Sequence, residues 1–146
     1  AASRELLRAW WRERFGAGQE PLISNGAGLS REDRISAAAL ARLLQYAWTS
    51  PLMPELISSL PISGLDGTLR PSRWRAEGSA HLKTGSLRDV ASIAGYVHVP
   101  DGRRYVLVAV VNHPNANAVR PALEALVEWT ARQTGPAPEK VSRKSR

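Results

Sequence analysis

Between Lys83 and Val111 the chain alternates and breaks in a way that leaves few folds open. Val90 to Val99 places Ala91, Ile93, Gly95, Val97 and Val99 at every second position, the period of a strand with one apolar face. Arg88-Asp89 before it and Pro100-Asp101-Gly102 after it are turn-forming segments too short to hold a crossover helix. Lys83 to Leu87 and Tyr105 to Val111 flank those turns, so three strands are expected to run as an antiparallel meander. Tyr105 to Val111 is apolar at both alternations, which predicts a central strand covered on both sides. Asn112-His113-Pro114-Asn115 breaks it.

The rest of the chain supplies helices to cover such a sheet. Ser3 is expected to cap a first helix reaching Phe15, with Leu6, Leu7, Trp10 and Trp11 as its apolar stripe and Gly16 as its stop. Gly18 to Asp33 reads as loop. Ser36 caps a second helix through Trp48, with Leu40, Leu43, Leu44 and Ala47 at helical spacing. Ser50-Pro51 predicts a short helix to about Leu60, because proline is favoured at a first helical position. Pro61 to Arg75 reads as loop, with Asp66-Gly67 as a turn. A last helix begins between Asn117 and Pro121 and presents Val119, Leu123, Leu126, Val127 and Thr130 on one face. The expected class is α/β, an antiparallel sheet flanked by helices.

Charge and composition narrow the function. The 146 residues carry a net charge of +7, but Lys140, Arg143, Lys144 and Arg146 crowd the end. They follow Thr134-Gly135-Pro136-Ala137-Pro138, so residues 1–133 are read as the folded portion and 134–146 as a basic flexible tail. The body's remaining arginines are interleaved with Glu and Asp, and no recognition motif accompanies them, which argues against nucleic acid as a partner. The chain starts at Ala1, shows no secretory signal, and has Met53 as its only methionine, as a processed product or excised piece would. Tyr105 to Val111, the longest apolar run, is too short to cross a bilayer. Without cysteine there is no disulfide and no thiolate metal site. His81, His98 and His113 lack the close paired spacing of zinc ligands and are expected to be ordinary surface or hydrogen-bonded histidines. No metal or other cofactor is called for.

Chemistry concentrates in Lys83-Thr84-Gly85-Ser86. An ammonium, two hydroxyls and a residue without a side chain, placed on an edge strand, suit an anionic extended ligand. Lys83 supplies charge, Thr84 and Ser86 hydrogen bonds, and Gly85 room for close approach. Asp66, His81 and a serine can be drawn as a triad, yet triads are defined by geometry, and no Gly-x-Ser-x-Gly elbow is present.

Lys-Thr-Gly is also a signature of active-site serine penicillin-recognising enzymes, and ordered neighbours accompany it here. Asn25-Gly26-Ala27-Gly28-Leu29-Ser30-Arg31 is similar to an Asp-Gly-Ser-Gly-Leu-Ser-Arg loop. Leu60-Pro61-Ile62-Ser63-Gly64-Leu65-Asp66-Gly67-Thr68-Leu69 is similar to Leu-Pro-x-x-Gly-x-Asp-Gly-Thr-Leu. Lys83-Thr84-Gly85-Ser86-Leu87, Ala94-Gly95-Tyr96 and Val111-Asn112 follow in order. Together these blocks resemble the C-terminal part of the D-alanyl-D-alanine carboxypeptidase/endopeptidase family, the low-molecular-mass class C penicillin-binding proteins. The resemblance covers roughly Ser3 to Gln133 and implies the C-terminal portion of a penicillin-binding, transpeptidase-like (β-lactamase-like) domain.

The same resemblance implies acyl transfer on peptidoglycan stem peptides, with β-lactams as ligands of the full-length protein and a periplasmic or extracytoplasmic location. Lys83 and Thr84 would hold the terminal carboxylate, Ser86 would add a hydroxyl, and the Ser86 N–H would form half of the oxyanion hole. Asn112, Asp66 and Arg70 are expected to fix loops. The family's Ser-x-x-Lys and Ser-x-Asn motifs occur nowhere in this chain, so it lacks the nucleophile and is expected to be inert by itself. A non-catalytic module binding cell-wall peptide or protein on the same fold is the competing expectation. Oligomeric state is left open.

Overall fold

Asp89 turns the chain back on itself: its backbone sits at φ 66, in the left-handed region that aspartate tolerates better than most residues. The computed structural model describes residues 2–69 and 77–133, and there this turn joins β1 (Ala80–Leu87) to β2 (Val90–His98), with Leu87 opposite Val90. A second tight turn leads into β3 (Arg104–Asn112), antiparallel to β2. The order is β1-β2-β3, so the expected meander is present. One expectation is corrected. Among the described residues β2 lies in the middle and β3 at an edge, and β3 is only partly covered, with Leu107 buried and Val110 exposed.

Helices supply that cover. α1 is Ala2–Phe15, α2 Ala37–Trp48, α3 Met53–Ser58 and α4 Arg120–Ala131, with short 3-10 turns at Gly67–Leu69 and Ala116–Val119. Leu82, Ile93, Val97 and Leu107 on one sheet face pack with Val127 and Ala131 of α4 and with Leu69. On the other face, fully buried Tyr96 donates its hydroxyl to the Leu44 carbonyl of α2 at 2.7 Å and lies 5.1 Å from the Trp48 ring. Trp10 and Phe15 of α1 meet Tyr46 of α2 edge-on, with centroids 5.9 and 5.5 Å away. Edge-to-face contact matches the positive rim of one ring to the negative face of the next.

Helix starts were partly legible. The Ser36 hydroxyl caps α2 by accepting the Ala39 N–H at 3.0 Å, as expected. Ser3 lies inside α1, which already begins at Ala2, so it is not that helix's cap. α3 begins at Met53 and not at Pro51. Pro54 takes the early helical position, while Ser50 and Pro51 form the preceding turn, with the Ser50 carbonyl accepting from Met53. Two prolines three residues apart both fit a helix start, and the second one fills it. Arg70 and residues 134–146, expected to be a loop residue and a tail, lie outside the described residues.

Gly95 fixes how closely β1 and β2 approach. Its φ is +150, and a Cβ there would stand 2.2 Å from the His81 carbonyl oxygen. Backbone cannot yield as a side chain tip can, so Gly95→Ala should cost at least about 2 kcal/mol in urea unfolding. A variant as stable as the parent would contradict this packing.

Candidate functional site

The outer edge of β1 is covered at its start and released midway. The Ser63 N–H donates to the Ala80 carbonyl, and the Leu82 N–H donates to the Pro61 carbonyl, both at 2.9 Å. Ile62 bridges His81. Backbone groups of alternate residues in an antiparallel strand point the same way. Ala80 and Leu82 face outward, so Thr84 and Ser86 do too, while Lys83 and Gly85 face β2. Among the described residues no strand pairs with this edge beyond Leu82. That stretch of edge carries the two outward N–H groups of Thr84 and Ser86.

The side chains divide by the same parity. Thr84 lies opposite Ile93 and Ser86 opposite Ala91, on the α4 face. Lys83 lies opposite Ala94 on the α2 face. The Lys83 ammonium is exposed and donates to the Thr84 carbonyl, crossing the edge itself. Thr84 Oγ1 and Thr68 Oγ1 share a hydrogen bond of 2.8 Å. A Cβ at Gly85 would meet Ser92 Oγ at 2.4 Å, a contact that rotation of the serine hydroxyl relieves.

Blocks distant in sequence converge at this end of the sheet. Thr68 touches Thr84, Arg31 Nη1 donates to the Arg88 carbonyl at 3.4 Å, and Asn112 pairs in register with Val90. Asp66 accepts the Ile62 N–H and so holds the turn that covers the start of β1, the loop-fixing part expected of it. Asn25 accepts the Ala27 N–H at 2.8 Å, closing its loop as an Asx turn. Nearby, the Asp33 carboxylate takes both the Ser24 N–H and hydroxyl at 2.7 and 2.8 Å, and these bonds lower its pKa.

A groove along the α4 side of the edge is lined by Thr68, Thr84, Ser86, Asn117, Arg120 and Glu124, among others. Asn117, Arg120 and Glu124 were not singled out from the sequence. No spacing rule could have found them, because only the fold brings the start of α4 to β1.

Two histidines depart from expectation. His113 is hydrogen-bonded, its Nδ1 accepting the Asn115 N–H at 3.0 Å. His81 and His98 instead face one another with ring centroids 5.4 Å apart, and His81 Nδ1 and His98 Nε2 are buried without a hydrogen-bond partner among the described residues. The reason is register: His81 opposes Tyr96, two residues from His98 on the same face. No cluster of three or more His, Cys, Asp or Glu that could hold a metal occurs among the described residues. Burial, followed by the charges of His81 and Arg104, lowers the His98 pKa from its usual 6.5.

The unfolded chain therefore binds this proton more readily than the folded one. Stability should fall as pH drops through about 6.5 and level off below the lower folded pKa. Urea midpoints at pH 7.5 and pH 5 should show this loss, and His98→Phe should reduce it; an unchanged slope in the variant would contradict the assignment.

Comparison with known proteins agrees with the residue blocks. The D-Ala-D-Ala carboxypeptidase 3 (S13) family matches residues 18–133. A D-alanyl-D-alanine carboxypeptidase of an Actinomadura species is 32% identical over 130 residues, covering 81% of this chain and 23% of that protein. Penicillin-sensitive carboxypeptidase A of Dictyostelium discoideum is 37% identical over 82 residues, covering 53% of this chain and 16% of that protein. The chain thus spans less than a quarter of the length of either relative. Among solved structures, penicillin-binding protein 4 of Haemophilus influenzae, complexed with a β-lactam, superposes with a TM-score of 0.71 at 20% identity. That match covers 86% of this chain and 32% of the other. A penicillin G-acylated predatory endopeptidase of Bdellovibrio bacteriovorus gives 0.72 at 16% identity, covering 92% and 42%. At these identities the structural likeness establishes the fold alone, an α/β arrangement shared with penicillin-binding proteins.

Proposed function

The chain belongs to the D-Ala-D-Ala carboxypeptidase 3 (S13) family, and from that footing we propose that β1 grips the C-terminal end of a peptidoglycan stem peptide. The reaction is serine-type acyl transfer. A serine attacks the carbonyl of the bond between the last two D-alanines, the terminal D-alanine leaves with a proton, and water then releases the acyl group. Neither Ser-x-x-Lys nor Ser-x-Asn occurs in these 146 residues, so the attacking serine is supplied by sequence outside them. β-Lactams enter the same cleft and form the same ester. The setting is periplasmic or otherwise extracytoplasmic, where the substrate is found; among the described residues no helix is long and apolar enough to cross a membrane.

The observation that carries this reading is the outer edge of β1 at Thr84 and Ser86, with which no strand pairs among the described residues. Thr84 and Ser86 offer hydroxyls to the peptide's carboxylate, and Lys83 brings positive charge to the edge. The Ser86 N–H would serve as half of an oxyanion hole, a role worth roughly 10²–10³ in rate where single donors have been removed. Asn112, at the end of β3, pairs in register with Val90 beside the turn between β1 and β2.

The missing motifs favour a second reading, a binding module on the same fold that recognises cell-wall peptide or a protein without cutting it. Incubating the full-length gene product with a fluorescent penicillin separates the two. The enzyme reading predicts covalent labelling, slowed about 10- to 100-fold by Lys83→Ala. Absence of labelling in the parent favours the module, and normal labelling of the variant removes Lys83 from the site.

A further inference from the structure

We propose that Arg120 is the cation that pairs with the ligand's terminal carboxylate, an inference that rests on reading β1 as the peptide-binding edge. The pleat separates Lys83 from the hydroxyls it accompanies in sequence. Thr84 and Ser86 face the α4 side, whereas Lys83 leaves the strand on the opposite face and its ammonium reaches the edge, where the Thr84 carbonyl engages it. A carboxylate accepting bonds from both hydroxyls therefore sits on the α4 side of the edge.

Arg120, the first residue of α4, lines that groove together with Thr84, Ser86 and Asn117. It is exposed, and it takes part in no ion pair or side-chain hydrogen bond among the described residues. It is also the single cation among the described residues lining the groove. A guanidinium fork matches a carboxylate through two parallel N–H bonds, whereas an ammonium offers a point charge. The two cations then divide the work: Arg120 reads the carboxylate, and Lys83 acts on the α2 side of the edge. Arg120 is thus a specificity-determining residue for peptides that end in a free carboxylate.

The test uses the full-length gene product and two peptides ending in D-Ala-D-Ala, one with a free carboxylate and one with a terminal carboxamide, each competing with fluorescent penicillin for labelling. The parent should prefer the acid. Arg120→Gln should cut that preference about tenfold or more, the scale of a lost charged hydrogen bond, and Arg120→Lys should restore part of it. Lys83→Ala should slow labelling while leaving the acid-over-amide preference in place. A preference unchanged in Arg120→Gln, in a parent that labels normally, overturns the assignment of Arg120 and leaves the enzyme reading standing. A parent that does not label at all overturns the reading on which both rest.

Discussion

The release of one strand edge governs what this protein can do. Residues 61–63 satisfy the outward backbone groups of β1 through Leu82, and beyond it no strand pairs with this edge among the described residues. An unpaired edge is a liability that folded proteins normally blunt with charge, bulges or covering segments. Here it carries Lys83 and two hydroxyls, which discourage pairing with another chain's apolar strand yet favour an anionic extended peptide. Everything that holds β1 in place, from Gly95 beneath His81 to Asp66 at the covering turn, keeps that edge aligned.

The arrangement also explains why the family's blocks are spread along the sequence. Thr68 is sixteen residues from Thr84, and Arg31 fifty-seven from Arg88, yet each reaches its partner at one end of the sheet. A cleft built this way tolerates variation in its individual loops provided that the sheet register holds. The change from the family's Asp and Ser to Asn25 and Ala27 is an instance, because the Asn25 side chain still closes its turn.

How much of this could be read in advance depended on the range of the interactions. Period-two alternation exposed the meander, and the Ser36 cap exposed the start of α2, since both are local. The position of β3 was not local: its apolar alternations suggested a central strand, yet among the described residues it lies at an edge with Val110 exposed. Pro51 and Pro54 satisfy the same rule for starting a helix, so the sequence held two answers and packing selected one. The His81–His98 contact and the place of Arg120 depend on register and tertiary packing. Lys83-Thr84-Gly85-Ser86 stood out in the sequence for its chemistry, but its division between two faces of the sheet became apparent only once its pairing with β2 was known.

Amide hydrogen exchange along β1 in the full-length protein tests the central claim most directly. Lys83 and Gly85 should exchange slowly because they bond to β2, and Leu82 slowly because it bonds to Pro61. Ser86 should exchange rapidly in the free protein and slow markedly once a β-lactam is bound. A Ser86 amide already protected without ligand would mean that this edge is paired, and would contradict the account.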